Sequence, residues 1–128
     1  HVWGYGVGLD MTRRDLQFAL RDKGRPWELG KAFDRSAPIA PLVPAAGAGP
    51  MDQAPIWLKV NGQLRQSAQV ADMIWSVPEI IANLSTYFRL EPGDLIFTGT
   101  PEGVGPVVAG DVIEAGVDGL GSLSLRIV

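Results

Sequence analysis

The sequence contains no cysteine, and its only histidine is the first residue, His1. The lack of cysteine excludes disulfide bonds and thiolate metal sites, and it fits the cytoplasmic location that we expect. Nucleophilic catalysis by a Ser-His-Asp or Cys-His set is a poor hypothesis, because the single histidine stands at one end of the sequence.

Long apolar runs and an excess of basic charge are also missing. No stretch approaches the roughly 20 apolar residues that span a bilayer, and the first residues do not show a signal-peptide pattern. The formal net charge is −3, and the eleven lysines and arginines are scattered, whereas a nucleic-acid-binding surface needs them clustered. We therefore expect neither a membrane nor a nucleic acid as a partner.

Glycine and proline, in contrast, are abundant, with 16 glycines and 10 prolines among 128 residues. A hydrophobic fraction of 46% excludes a disordered chain, and so many turn-forming residues disfavour a helical bundle. The composition therefore predicts one domain over residues 1–128 with a strand-rich α+β fold.

The clearest local signal is a β-hairpin. Strand-like residues 56–60 and 63–66 flank Asn61 and Gly62, the residue types that most readily accept positive φ in a two-residue turn. Similar patterns predict further strands, which cover residues 2–9, 95–97, 112–114 and 122–128.

Two principal helices are predicted, over residues 13–23 and 77–90. Thr12 and Asp15 form a capping-box pattern before the first helix, and Ser76 and Glu79 form one before the second. The second helix carries a stripe of apolar residues that we expect to pack into the core; its members are Ile80, Ile81, Leu84, Tyr87 and Phe88.

A first group of residues that can carry chemistry lies where the first strand meets the first helix. Asp10 offers oxygen ligands to a hard cation such as Mg²⁺, while Arg14 and Gln17 follow one and two turns along the same face. Arg14 can hold a carboxylate in a fork, and Gln17 can donate to a carbonyl. The alternative is an Asp10 that caps the helix or pairs with Arg13 or Arg14.

Two further candidates lie later in the chain. Lys31, which follows Gly30, can place a positive charge on an enolate, unless it is an ordinary solvated lysine. The Thr98-Gly99-Thr100-Pro101 segment can bind a carboxylate through its hydroxyl and N–H groups, although glycine-rich strand exits are also plain turns. Its spacing is not that of a phosphate-binding P-loop.

In this order, these pieces resemble the fumarylacetoacetate hydrolase family along nearly the whole chain. The segments that carry the resemblance are 4–5, Gly-Leu-Asp-Met-Thr-Arg-Arg-Asp-Leu-Gln (8–17), Gly-Lys-Ala-Phe-Asp (30–34), 37–38, Val-Asn-Gly (60–62), Asp-Met-Ile-Trp-Ser-Val-Pro-Glu (72–79), Glu-Pro-Gly-Asp (91–94), Thr-Gly-Thr-Pro (98–101) and Gly-Val-Gly (103–105).

The resemblance implies a mixed β-sandwich roll, a homodimer and a divalent metal, Mg²⁺ before Mn²⁺ or Ca²⁺. It implies that Asp10 is a metal ligand and that Lys31 polarises a keto group and stabilises the enolate released on cleavage. Arg14 and Gln17 match substrate-facing positions, and Thr100 with the Gly99 backbone matches the contact to a substrate carboxylate. The expected activity is hydrolysis of a C–C bond in acylpyruvate-type diketo acids such as fumarylpyruvate, in aromatic-compound catabolism.

The sequence departs from the family pattern in one respect. The family's Glu-x-Glu metal ligands and its water-activating histidine–glutamate pair precede the matching region and are not found in these residues, so we expect part of a longer enzyme. The alternatives are decarboxylation of β-keto acids or keto–enol isomerisation on the same scaffold, because these reactions also pass through an enolate. A non-catalytic, partner-dependent module is a further alternative.

Overall fold

The computed structural model describes residues 1–128 and confirms an α+β structure. It contains two antiparallel sheets, neither of which closes into a barrel, and short helices between them. The elements in chain order are β1 (Gly4–Tyr5), α1 (Arg14–Arg21), α2 (Glu28–Lys31), β2 (Val43–Pro44), α3 (Ala45–Ala48), β3 (Pro55–Val60), β4 (Gln63–Gln69), α4 (Val77–Leu84), β5 (Val112–Val117) and β6 (Gly121–Arg126). No helix is both long enough and apolar enough to cross a membrane.

The principal sheet has four strands in the order β4-β3-β5-β6. The hairpin between β3 and β4 is confirmed, with φ of 51° at Asn61 and 77° at Gly62. Leu58 pairs with Gln66 while Lys59 pairs with Leu64, so Arg65 is an extra residue and forms a β-bulge. The predicted strands near residues 112 and 122 are confirmed as β5 and β6.

The core lies on one face of this sheet. Ile113, Ala115 and Val117 alternate along β5 and are buried on this face, while Gly116 between them is buried on the other face, next to the Trp57 ring. The full core cluster also contains residues from other parts of the chain: Val7, Leu9, Ala40, Ala48, Ala54, Val60 and Leu120.

The first predicted strand is only partly regular. Of residues 2–9, only Gly4 and Tyr5 form β1, against β2. Gly8 makes an isolated bridge to Ile39, and the Leu9 N–H donates to the Pro38 carbonyl at 3.0 Å. The segment therefore runs beside residues 36–44, but its ladder is interrupted.

The predicted position of the first helix is confirmed, but the predicted capping box is wrong. It begins at Arg14, and Arg13 is the N-cap residue, without a side-chain cap. The Thr12 side chain instead accepts a hydrogen bond from Lys31, so it is engaged in a tertiary contact rather than in capping. The only buried residue of α1 is Gln17.

The second helix begins where the sequence predicts and ends early. Ser76 and Glu79 form the capping box, but α4 stops at Leu84, and residues 85–87 form a turn. The prediction that its apolar stripe packs into the core is wrong within this chain, because α4 has no buried residue and Tyr87 and Phe88 are 73% and 64% exposed.

Residues 95–97 are not the buried strand that the sequence predicts. They lie outside the strands, and Leu95 and Phe97 are about half exposed. Residues 95–107 make no backbone–backbone hydrogen bond. An apolar extended segment needs a neighbouring strand to form a ladder, and these residues provide none for it.

The total surface area agrees with this open arrangement. It is 9062 Å², and only 14 of 128 residues are buried. A compact monomer of 13.7 kDa exposes roughly 6,600 Å². The excess of roughly 2,500 Å² indicates that much of this surface is built to be covered.

Candidate active site

Asp10 and Lys31 form the centre of the candidate site. The Lys31 Nζ donates to Asp10 Oδ2 at 2.6 Å and to Thr12 Oγ1 at 2.9 Å. The Lys31 side chain is 36% exposed and the Asp10 side chain is 53% exposed, so the lysine is neither fully solvated nor buried. The alternative that Asp10 pairs with Arg13 or Arg14 is wrong, because its partner is Lys31.

Gly30 explains how α2 brings Lys31 to this position. The Arg13 N–H donates to the Gly30 carbonyl at 2.9 Å. A Cβ atom on Gly30 would lie 3.1 Å from the Gln17 nitrogen and 3.2 Å from the Arg13 carbonyl oxygen. A side chain here would press on the backbone of α1, so glycine at this position lets α2 pack closely against α1, where Lys31 reaches Asp10.

Arg14 and Gln17 form a second pair on α1. The Arg14 Nη1 donates to Gln17 Oε1 at 2.6 Å, as residues one helical turn apart can. Gln17 is buried and Arg14 is exposed. The Gln17 amide oxygen therefore orients the Arg14 guanidinium through one N–H group, and the remaining N–H groups of Arg14 can donate to an anion.

The Thr98–Thr100 segment forms a loop whose shape depends on a glycine and on one neighbouring side chain. Gly99 has a φ of 113°, a conformation that favours glycine. Thr100 Oγ1 accepts a hydrogen bond from Gln66 Nε2 at 2.8 Å, and the Pro101 carbonyl accepts a second one at 2.6 Å. Gly103, at φ 98°, lies so close to the Arg65 carbonyl that a Cβ atom would collide with it.

Five of the six predicted site residues are among the 62 residues that line one broad, open cavity of about 2330 Å³, so the shared lining places them on the same side of the chain without placing them in contact. The first strand segment and the Thr98 loop meet there, since a Cβ atom on Gly8 would lie 2.9 Å from the Phe97 ring. Gln17 lies outside the lining and is bonded to two residues of it: its N–H donates to the Arg13 carbonyl at 3.0 Å, and its Oε1 accepts from Arg14. The lining residues are Asp10, Arg14, Lys31, Gly99 and Thr100.

The residues of this chain do not complete a metal site. No group of three or more histidine, cysteine, aspartate or glutamate side chains is arranged to hold a metal ion. Asp10 gives one oxygen to Lys31, while its Oδ1 has no hydrogen-bond partner. A hard cation needs about six oxygen ligands, so Asp10 can supply one ligand and others would have to come from elsewhere.

Gln66 is a site residue that sequence reasoning missed. Its side chain is buried and reaches the Thr100 loop, while the apolar Leu64 on the same strand is 58% exposed. The bulge at Arg65 changes the side-chain alternation. A simple hairpin pattern does not distinguish Gln66 from an exposed glutamine, so the sequence carried no clear signal for its role.

The comparison with known proteins identifies the family. Residues 1–128 match the family model described as the fumarylacetoacetate (FAA) hydrolase C-terminal domain. The chain therefore belongs to the fumarylacetoacetate hydrolase family.

Among its relatives, the chain is 55% identical over 126 residues to a fumarylpyruvate hydrolase from Ralstonia sp.. It is 46% identical over 127 residues to the human mitochondrial oxaloacetate tautomerase. These matches cover 98% and 99% of this chain but only 65% and 58% of the two relatives.

The solved structures give the same result. The fumarylpyruvate hydrolase from Pseudomonas aeruginosa, in complex with Mn²⁺ and pyruvate, superposes with a TM-score of 0.97 at 59% identity. The match covers 100% of this chain and 55% of that protein. The chain thus has the fold of the family and spans between 55% and 65% of the length of these three relatives.

Proposed function

We propose that this chain is the substrate-binding part of a hydrolase that cleaves acylpyruvate-type diketo acids, such as fumarylpyruvate, into pyruvate and a carboxylic acid. The observation that supports it most is the Asp10–Lys31 pair, which faces the same cavity as Arg14 and Thr100. The 55% identity to a fumarylpyruvate hydrolase supports the substrate class. A cytoplasmic location, expected from the lack of cysteine, and a role in aromatic-compound catabolism, expected from the family resemblance, are part of the proposal.

The roles of the residues follow from their chemistry. Arg14 and Thr100, with the Gly99 N–H, bind the substrate carboxylate by charge-assisted hydrogen bonds. Water adds to the distal carbonyl, and the C–C bond then breaks with its electron pair on the pyruvate fragment as an enolate. Lys31 stabilises this developing negative charge, and protonation of the enolate carbon gives pyruvate. The base that activates water is proposed to lie outside residues 1–128.

A divalent metal is part of this proposal, with Asp10 as one ligand. The complex of the Pseudomonas enzyme with Mn²⁺ supports a divalent cation, and Mg²⁺ remains our expectation from the resemblance. Such a cation, when bound, supplies Lewis-acid polarisation of substrate oxygens. Asp10 can serve it through Oδ1 and still orient Lys31 through Oδ2.

The test is the Lys31→Ala substitution in the intact enzyme. Loss of one charge that stabilises an oxyanion should lower kcat for fumarylpyruvate by about 10²–10³ with an unchanged melting temperature. Lys23→Ala is the matched control, because Lys23 is exposed and makes no side-chain hydrogen bond or ion pair. An unchanged kcat in Lys31→Ala would remove Lys31 from the mechanism.

Keto–enol isomerisation is the second candidate, and the 46% identity to the oxaloacetate tautomerase favours it. Both reactions need a stabilised enolate, whereas only hydrolysis needs water to attack a carbonyl. Product analysis by NMR with fumarylpyruvate and with oxaloacetate separates them. Two acids indicate hydrolysis, enol–keto exchange indicates the tautomerase, and CO₂ release indicates a decarboxylase.

The proposal also covers the assembly. Residues 1–128 are proposed to form one catalytic domain that is completed by an N-terminal part and that acts as a homodimer. The excess exposed area of roughly 2,500 Å² is more than one standard protein interface covers. Light scattering on the intact protein should give twice the monomer mass; a monomer would contradict this part.

A further inference from the structure

The Thr98 loop depends on one side chain for its position. Residues 95–107 make no backbone–backbone hydrogen bond, and the only hydrogen bonds to this segment come from Gln66, at 2.8 Å to Thr100 Oγ1 and 2.6 Å to the Pro101 carbonyl. Gln66 is itself 7% exposed and stands on β4, in the principal sheet. A rigid element therefore holds a loop that has little other support.

The direction of the hydrogen bond to Thr100 also matters. A threonine hydroxyl has one proton and two acceptor lone pairs. Because the Gln66 amide nitrogen can only donate, the Thr100 oxygen accepts from it and its own proton stays available. Thr100 lines the cavity, so the hydroxyl is free to donate that proton to a carboxylate bound there.

We infer that Gln66 is a positioning residue for substrate-carboxylate binding, acting through Thr100. This inference rests on the proposed function, because it assumes a 2-oxo carboxylate in the cavity. Gln66 fixes the place of the loop, and it also fixes the Thr100 hydroxyl as a donor toward the substrate. The bulge at Arg65 contributes by changing the alternation of side chains next to Gln66.

Three variants of the intact enzyme test the inference. Gln66→Met keeps the volume and removes both donated hydrogen bonds. Gln66→Glu keeps the shape but leaves an acceptor, which draws the Thr100 proton away from the substrate. Gln63→Met is the matched control, because Gln63 lies on the same strand, is exposed and makes no side-chain hydrogen bond.

The first readout is pyruvate binding by calorimetry, together with KM and kcat for fumarylpyruvate. If Gln66→Met misplaces Thr100 so that its hydrogen bond to the charged ligand is lost, the pyruvate Kd and the KM should rise about tenfold, with kcat nearly unchanged. The rise should be larger in Gln66→Glu and absent in Gln63→Met. A lowered kcat at constant KM, or an unchanged Kd, would overturn the inference.

A double-mutant cycle shows whether Gln66 acts through Thr100. Adding Gln66→Met to Thr100→Val should raise the pyruvate Kd much less than Gln66→Met does alone; additive effects would overturn the inference.

Hydrogen exchange separates this inference from the proposed function. If the unsubstituted enzyme binds no pyruvate and cleaves no fumarylpyruvate, the proposed function has failed. The positioning role is then decided by exchange of residues 98–103: faster exchange in Gln66→Met than in Gln63→Met supports it, and equal exchange overturns it.

Discussion

The four-stranded sheet and residues 74–107 differ sharply in how far their backbone groups are paired and their apolar side chains are covered. In the sheet, β3, β4, β5 and β6 pair along their lengths, and β5 carries the most buried residue of the core, Ile113. In residues 74–107, only α4 is regular, and large apolar side chains are exposed. They are Ile74, Trp75, Tyr87, Phe88, Leu95, Phe97 and Val104.

The difference has a physical reason. A β-strand and an apolar helix face lower the free energy only when a neighbour pairs their backbone and covers their side chains. The sheet finds its neighbours within about 70 residues of the same chain. Residues 74–107 carry the sequence of a helix and an inner strand, without the partners that such elements need. They are therefore the part of the chain that a further segment or a second copy would cover.

The largest expected effect is in hydrogen exchange. In a chain of residues 1–128 alone, the amides of residues 95–107 should exchange nearly as fast as in an unfolded peptide, because none of them is bonded to another backbone group. The amides of β5 should be slower by roughly a thousandfold or more. In a protein that also contains the N-terminal part of its relatives, residues 95–97 should become protected. Exchange that stays fast there would contradict the pairing that we expect.

A smaller effect distinguishes the two regions by truncation of apolar side chains. Ile113→Ala should lower the free energy of unfolding by about 2–5 kcal/mol, because Ile113 is 3% exposed. Phe97→Ala should cost less than about 1 kcal/mol in the chain alone and about 3 kcal/mol once the segment is covered. Urea unfolding of both proteins measures this, with Leu64→Ala as the exposed control in the sheet. Equal costs of Phe97→Ala in the two proteins would remove the distinction.

Gly103 joins the two regions, and its substitution should have a local effect. An alanine there is strained at φ 98° and would meet the Arg65 carbonyl. We expect a cost of about 1–2 kcal/mol, seen as roughly tenfold faster exchange of residues 98–105 in the intact protein, where we expect the loop to be covered and its exchange to be slowed. Gly105→Ala is the matched control, since it has open space and no positive φ. A similar rate in both variants would show that the loop does not depend on this contact.

The sequence predicts the four-stranded sheet better than it predicts residues 74–107. The Asn61-Gly62 turn and strands β5 and β6 follow from local patterns, because each strand pairs with a neighbour close in the chain. The Ser76 capping box is equally local. The burial of residues 95–97 and of the α4 stripe was wrong, because burial depends on partners that these residues do not include.

The candidate site divides in the same way. Asp10, Lys31 and Thr100 are chemically suggestive residues that the resemblance brings together, and five of the six predicted residues line one cavity. The Asp10–Lys31 ion pair and the role of Gln66 were not predictable, since each joins positions more than 20 residues apart. Such contacts depend on how α2 packs on α1 and on a bulge in β4.

The smallest expected effect is on pH dependence, and each region holds one carboxylate that tests it. Hydrogen bonds from the Val108 N–H and then from Asn61 lower the pKa of Asp111 at the edge of β5. The Ser76 hydroxyl and then its N–H lower the pKa of Glu79 at the start of α4.

Because each folded pKa lies below its ordinary value, the stabilisation is complete above that value and is lost as pH falls through the folded pKa. The ordinary values are 3.8 for Asp111 and 4.5 for Glu79, so the loss should begin below about pH 5. Asp111 connects the β3–β4 turn, through Asn61, to the start of β5. Asp111→Asn should therefore make the free energy of global unfolding less dependent on pH below about pH 5. Glu79→Gln should change only the exchange of the α4 amides. Equal effects on global unfolding would mean that α4 and the sheet unfold as one unit, and that the two regions are more strongly coupled than their contacts indicate.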